Sequence, residues 1–288
     1  MALKKFDFKE TSLIFLRGLL MGFADVIPGV SGGTIAFITG IYSRLVHSIS
    51  SIDFSFIFSF LKMEFKNSYI TFRKIDFALF LPLGLGILIS LYSFSWMIEY
   101  LLISFPAFTF AFFFGLILAS AWFVFKKTGK IKYERIIFSA LGFIFAYSIA
   151  GVTAISVNHS LLIIFLSGAL AICAMILPGI SGAFILLLLN QYQFLINALH
   201  NLDKLIIGVF GLGALIGLLS FSKLLDYLLC NFKKLTLSFL VGLMVGSLRV
   251  PLNQMSTTSD NLWLVLLFVI IGFMVVFLLE FSMNKKTN

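Results

Sequence analysis

ADVIPGVSGGT, residues 24–34, decides how this chain is read. An acid, a proline, three glycines and two hydroxyl side chains interrupt a segment that is oily on either side. A shorter version, ILPGISGAF at 176–184, recurs between two further apolar runs. Pro-Gly stops one helix and allows a tight turn, while Ser-Gly starts the next, with Ser31 and Ser181 placed to cap it. The apolar runs flanking the breaks, 12–27 with 34–50 and 161–177 with 183–197, are short. A 15-residue helix is about 22 Å long, against a hydrocarbon core of roughly 30 Å. Each pair therefore reads as a re-entrant hairpin that turns inside the membrane and leaves by the face it entered. Irregular backbone at that depth is tolerated only where protein or a water-filled cavity surrounds it.

Composition supports a membrane setting. Of 288 residues, 60% are hydrophobic and 11% charged, and mean hydropathy is +1.09. That much apolar surface excludes an ordinary soluble domain. The basic start, MALKKFDFKE, is followed by no short apolar stretch with a small-residue cleavage site, so the first apolar run is expected to stay in the mature protein. The net charge of +9 is assigned to loops facing the cytoplasm and its anionic lipid, and no nucleic-acid partner is expected. Cys173 and Cys230 read as reduced small hydrophobes. His47, His159 and His200 lack ligand spacing, so neither a metal nor a cofactor is expected, only a proton or sodium gradient as a possible energy source.

Six further apolar segments fall at 77–98, 107–125, 136–155, 205–229, 235–250 and 262–281. With Lys4, Lys5 and Lys9 inside and each hairpin returning to its own side, every basic cluster becomes cytoplasmic. These clusters are Lys62, Lys66, Arg73 and Lys74, then KKTGKIKYER at 126–135, then Lys233 and Lys234, then Lys285 and Lys286. Both termini are thus expected in the cytoplasm of a multi-pass plasma-membrane protein. Two full crossings in place of each hairpin give the same sides, so charge supports the orientation and segment length supports re-entrancy. Residues 54–61, aromatic and flanked by charge, read as an interfacial segment or a plain loop.

The two halves repeat. PGVSGGTIAFITGIY (28–42) aligns with PGISGAFILLLLNQY (178–192) at an offset of 150, and SFSWMIEYLL (93–102) with SFSKLLDYLL (220–229) at an offset of 127. The second offset also carries Gly84 and Gly86 onto Gly211 and Gly213, and Thr109, Gly115 and Ser120 onto Thr236, Gly242 and Ser247. Three crossings between the hairpins make the repeats inverted, an arrangement common in secondary transporters. The expected fold is an all-α integral membrane protein, a single transmembrane domain over 1–288. It holds two inverted repeats, 12–155 and 161–281, each a re-entrant hairpin (12–50, 161–197) followed by three transmembrane helices. Duplicated halves also occur in membrane enzymes.

The N–H groups opening each second hairpin arm, with Ser31, Gly32, Gly33 and Thr34 in one and Ser181 and Gly182 in the other, form a candidate anion site. The competing reading is that Pro-Gly only turns the chain and serine only caps it. Charges inside apolar segments are costly and usually functional. Arg17 supplies a fork suited to phosphate, and Asp25, eight residues on, a carboxylate suited to a coupling proton; pairing with other helices is the alternative. Glu99 and Asp226, repeat mates, are candidate alternating protonation sites or residents of a wet interface. Arg249 is a candidate phosphate receiver or a snorkelling side chain, and Arg44 and Lys223 read as interface anchors. Thirty-six phenylalanines suit a long apolar ligand.

With GxADxIPGVSGGTxAxxxGIY over 22–42, LPGISGAF over 177–184 and GLMVGSLR over 242–249, the chain resembles the bacterial polyprenyl-phosphate transporter family across nearly its whole length. The resemblance implies translocation of undecaprenyl phosphate, the recycled lipid carrier of cell-wall polymers, from the outer to the inner leaflet. It also implies that Gly29, Ser31, Gly32, Gly33 and Thr34, with Ser181 and Gly182, surround the phosphate. One departure is NQY at 190–192, where GxY would mirror the first half and whose loss is expected to loosen local packing. The competing class is an undecaprenyl-diphosphate phosphatase. Hydrolysis there calls for an arginine beside the serine and a paired-glutamate motif or catalytic histidine. Here Gly32 follows Ser31, Gly182 follows Ser181, and no glutamate pair occurs. A transporter of another, soluble anion is the third reading.

Overall fold

The computed structural model describes residues 8–25, 31–52, 75–129, 132–152, 158–256 and 261–284, together with Tyr69 and Phe72. The interfacial segment expected at 54–61, the basic residues Lys62, Lys66, Arg73 and Lys74, and both charged termini lie outside the described residues. All regular structure among the described residues is helical: α1 (Phe8–Asp25), α2 (Gly32–Ile38), α3 (Tyr42–Ser50), α4 (Phe77–Ser104), α5 (Pro106–Lys127), α6 (Tyr133–Ile149), α7 (Leu161–Ile176), α8 (Gly182–Leu188), α9 (Tyr192–His200), α10 (Lys204–Asn231), α11 (Lys233–Ser247), α12 (Arg249–Ser256) and α13 (Leu262–Asn284). Among the described residues four stretches are long and apolar enough to cross a membrane, 77–94, 106–126, 204–231 and 233–255, and the bent pair α8–α9 could supply a fifth. The described apolar helices α7 and 262–278 are shorter.

Each arm following a break is two helices rather than the single segment expected at 34–50 and 183–197. The first divides at Gly40 (φ 75°) and the second at Asn190 (φ 52°), where α8 and α9 meet at 109°. A left-handed residue ends a helix, and asparagine is among the few side chains that tolerate that conformation. Asn190 therefore does at 190 what Gly40 does at 40, and NQY preserves the bend that GIY makes in the first half.

The helices pair through glycine. Gly18 of α1 lies on the Leu83 carbonyl of α4, and Gly86 of α4 on the Phe15 carbonyl; Gly168 of α7 lies on Phe210 and Gly213 of α10 on Phe165 in the same way. A second set joins α5 to α13 through Gly115 and Gly272, and α11 to α6 through Gly242 and Gly142. A Cβ at any of these positions would run into a main-chain carbonyl. Such contacts let backbones approach where lipid supplies no hydrophobic force between helices. The repeat extends to single bonds. The Thr109 hydroxyl lies 2.8 Å from the Phe105 carbonyl and 3.2 Å from that of Leu101 and shares its one proton between them, as the Thr236 hydroxyl does between Phe232 and Leu228, 3.0 Å from each. Asp76 caps α4 at Leu79 N–H, and Asp203 caps α10 at Leu205 and Ile206.

The 106–126 and 233–255 spans are mostly buried at the centre, while α4 and α10 turn much of their surface outward. Each hairpin closes on its own start. In the first, Arg44 of α3 pairs with Glu10 of α1 at 2.6 Å and with Asp76 at 3.0 Å. In the second, Phe194, the repeat mate of Arg44, stacks on His159 at 4.2 Å. Buried Gln191 bonds there too, its side-chain oxygen 3.0 Å from His159 Nδ1 and its amide donating to the Asn158 carbonyl.

Candidate functional site

The first break ends α1 at Asp25 and resumes at Ser31, which caps α2 in an extended conformation. Gly32 N–H donates to Asp25 Oδ1 at 2.6 Å, Gly33 N–H to Ser31 Oγ at 3.1 Å, and Thr34 N–H to the Ser31 carbonyl at 2.9 Å. The opening amides of α2 are therefore engaged, and the chain's own Asp25 carboxyl group takes the place an anion would hold at this helix end. Asp25 Oδ2 is buried with no hydrogen-bond partner among the described residues.

The second break meets the first directly. Gly179, in the left-handed region at φ 93°, donates its N–H to Thr34 Oγ1 at 2.9 Å. The Ser31 hydroxyl lies 3.0 Å from the Met175 carbonyl and 3.2 Å from that of Leu177, and donates to one of them. Gly33 packs on the carbonyls of Ile176 and Met175, too close for any Cβ. The positive end of α2 thus faces the negative end of α7, a favourable alignment of dipoles. Ser31, Thr34 and Ser181 are all buried at this seam. Ser181 caps α8 without a side-chain bond to its amides. Gly179 touches Met244 and Ser247 of α11, so the seam rests on the central span. Beyond exchanges among aliphatic residues the halves differ here at three positions: the mate of Asp25 is Met175, that of Gly33 is Ala183, and that of Thr34 is Phe184.

The remaining candidates are dispersed. The charged neighbours of Arg17 are Arg44 and Glu10, because helix side chains lean toward the N-terminus, away from Asp25. Arg249 opens α12 just past Ser247, but its guanidinium donates to the Tyr147 carbonyl at 2.9 Å and lies 4.3 Å over the Tyr147 ring. Asp226 accepts from Ser50 at 2.7 Å and sits 3.0 Å from His47 Nδ1. Gly29 and the side chain of Glu99 lie outside the described residues. No group of three or more His, Cys, Asp or Glu that could hold a metal occurs among the described residues.

Beside the first break lies an apolar cavity of about 480 Å³, walled by α1, α4, α5 and α13. Phe23, two residues before Asp25, forms its inner wall with Phe113, and the stacked pair Phe108–Phe268 another part.

Residues 21–263 match the family described as undecaprenyl phosphate translocase-like. The chain belongs to that family. Within it, the chain is 43% identical to the polyprenyl-phosphate transporter of Vibrio cholerae over 234 residues, 81% of this chain and 75% of that one. It is 31% identical to the polyprenyl-phosphate transporter of Staphylococcus aureus over 279 residues, 90% of this chain and 93% of the relative. Both are named as transporters, not enzymes. No solved structure matches.

Two features of this family member escaped the sequence. His47 and Ser50, on α3, tie the first hairpin to Asp226 of the second half, a pairing across 176 and 179 residues that no local pattern announces. The unpartnered charge at Asp226 within an apolar run was the available signal. Arg44, read as an interface anchor, instead joins Glu10 and Asp76.

Proposed function

We propose that this protein carries polyprenyl phosphate, with undecaprenyl phosphate as the natural substrate, across the plasma membrane from the outer to the inner leaflet. Membership of a family described as undecaprenyl phosphate translocase-like carries this reading. A phosphate with its charge cannot cross hydrocarbon unaided, and the seam of the two breaks provides polar backbone at depth.

The hairpins are re-entrant and the repeats, 12–155 and 161–281, inverted. In support, Arg44 bonds Glu10, so the first hairpin returns to where it began. The helix α3 also reaches both Asp76, which opens α4, and Asp226, near the end of α10. Contact with the start of one helix and near the end of the other supports opposite directions for the repeat mates α4 and α10. The basic clusters orient the α3 end toward the cytoplasm, with both termini.

The headgroup binds at Ser31, Gly32, Gly33 and Thr34 with Ser181 and Gly182, Gly29 completing the first break. Because Asp25 already holds Gly32 N–H, phosphate takes that amide by exchange, and a proton arriving on Asp25 eases it. Arg249 and Arg17 act before and after this exchange, at the outer and cytoplasmic approaches rather than at the seam. Rocking of the halves exposes the seam to each leaflet in turn, with His47 and Ser50 on Asp226 holding the cytoplasmic side and Glu99 as the counterpart of Asp226.

Reconstituted protein in liposomes containing polyprenyl phosphate tests this, using an externally added phosphatase to read how fast inner-leaflet headgroups become accessible. Faster exposure than in protein-free liposomes is expected; an equal rate refutes transport. Phosphate release without added phosphatase marks an enzyme. Equal rates with and without a proton or sodium gradient refute coupling.

A further inference from the structure

The cavity beside the first break offers nothing to a charged group. The one polar residue on its wall, Thr109, has its hydroxyl committed to the Leu101 and Phe105 carbonyls. Phe23 and Phe113 are both on its wall, 6.2 Å apart between ring centroids, and Phe23 precedes Asp25 by two residues on α1, which puts the cavity at the level of the break, about 3 Å along the helix axis from Asp25. Phe105 and Leu264, also on its wall, are both 45% exposed, so the cavity opens to the surface beside them. About 480 Å³ lies within the roughly 300–1,000 Å³ of pockets that enclose small organic ligands. It holds a few isoprene units, not a whole long tail.

We propose that this chamber is a binding site for the phosphate-proximal isoprenoid units of the transported lipid. This rests on the reading given under the proposed function. The chamber holds the start of the tail while the headgroup is at the seam, and the rest of the tail leaves past the exposed wall residues. Its aromatic walls match the methyl-branched, unsaturated chain of a prenyl lipid in shape and polarisability. The equivalent positions of the second half include Cys173 for Phe23, Leu235 for Phe108 and Leu240 for Phe113. Leu240 is fully buried. Phe105 and Phe112 keep aromatic mates in Phe232 and Phe239, and Phe268 and Leu264 come from the second half, so both halves build the chamber.

The test uses full-length protein in lipid nanodiscs and a polyprenyl phosphate carrying a photoreactive diazirine on its second or third isoprene unit. Labelled peptides are mapped by mass spectrometry. Phosphatidic acid with a diazirine on its acyl chain serves as the comparison. The prenyl probe is expected to label peptides spanning 101–113 and 264–268, with at least a five-fold loss under excess unlabelled polyprenyl phosphate and none under phosphatidic acid. Leu264→Trp, which fills the mouth, is expected to lower that labelling at least three-fold, and Leu101→Phe narrows the chamber from another wall should the first variant fold poorly. Equal labelling by the acyl probe overturns the proposal, because the chamber then holds ordinary bilayer lipid. Prenyl phosphate that binds and competes but labels only elsewhere overturns it while leaving transport standing. No competable prenyl labelling anywhere overturns both.

Discussion

The exchange at Asp25 has a quantitative consequence. In the structure Asp25 Oδ1 holds Gly32 N–H at 2.6 Å, a charge-assisted bond. Such bonds contribute about 1.5–3 kcal/mol, against about 0.5–1.5 kcal/mol for neutral ones. Asp25→Asn keeps an oxygen acceptor in place but removes the charge, weakening the hold on Gly32 by about 1–2 kcal/mol. It also removes a negative charge from beside the incoming headgroup, where repulsion at about 4 Å amounts to about 4 kcal/mol at an effective dielectric of 20. Counting only the bond, the variant should bind a soluble short-chain prenyl phosphate about 5- to 30-fold more tightly. Its transport should nevertheless slow and lose any dependence on a proton gradient, because the internal competitor that returns the amide is weaker. Calorimetry on detergent-solubilised protein reads the affinity, and the thermal midpoint confirms that the variant is folded. A folded Asp25→Asn that binds no more tightly than the parent refutes the exchange and leaves Asp25 as a structural cap.

Other consequences follow from individual contacts. Thr34→Val strands the buried Gly179 N–H and should cost about 1–3 kcal/mol; Thr34→Ser should cost less, and thermal unfolding in detergent compares them. Asn190→Val forces a β-branched residue into the left-handed region and should cost at least about 1–2 kcal/mol, while Asn190→Gly should change the midpoint little. Gly86→Leu and Gly213→Leu overfill equivalent crossings and should each lose about 1–3 kcal/mol or more, with neither half spared. Asp226→Ala frees α3 from α10 and should raise several-fold the rate at which Cys230, 3.9 Å from that carboxylate, reacts with a maleimide, while labelling of half-buried Cys173 stays constant.

Much of the architecture is legible in the chain because membrane chemistry leaves few options. Short apolar arms around Pro-Gly and Ser-Gly can only bend, and matched glycines at fixed offsets mark the repeat, although only some of them, such as Gly86 and Gly213 but not Gly84 and Gly211, turn out to join helices. The bends at Gly40 and Asn190 were less legible, since apolar runs do not record a single left-handed residue, and Asn190 looked like a loss rather than an equivalent. At the site, Ser31 and Thr34 stood out by their motif, and the structure adds their partners, Met175, Leu177 and Gly179, in the other half. Those partners contribute main-chain atoms, which leave no trace in side-chain identity. The engagement of Gly32 by Asp25 was hidden for a related reason: the two lie on different helices, α1 and α2, on either side of the break, so their spacing in sequence says nothing of the contact. His47 with Asp226 and the chamber between α1, α4, α5 and α13 both depend on tertiary packing of distant segments.

The central claim is that lipid phosphate crosses the membrane at the seam where the two breaks interlock. Outer-leaflet display of undecaprenyl phosphate in cells tests it most directly, read with a headgroup-binding probe on cells lacking the gene and on cells re-expressing it. Display should rise on deletion, fall with the wild-type chain, and stay high with membrane-inserted Ser31→Ala/Thr34→Val. Unchanged display on deletion, or full restoration by that double variant, would contradict the account.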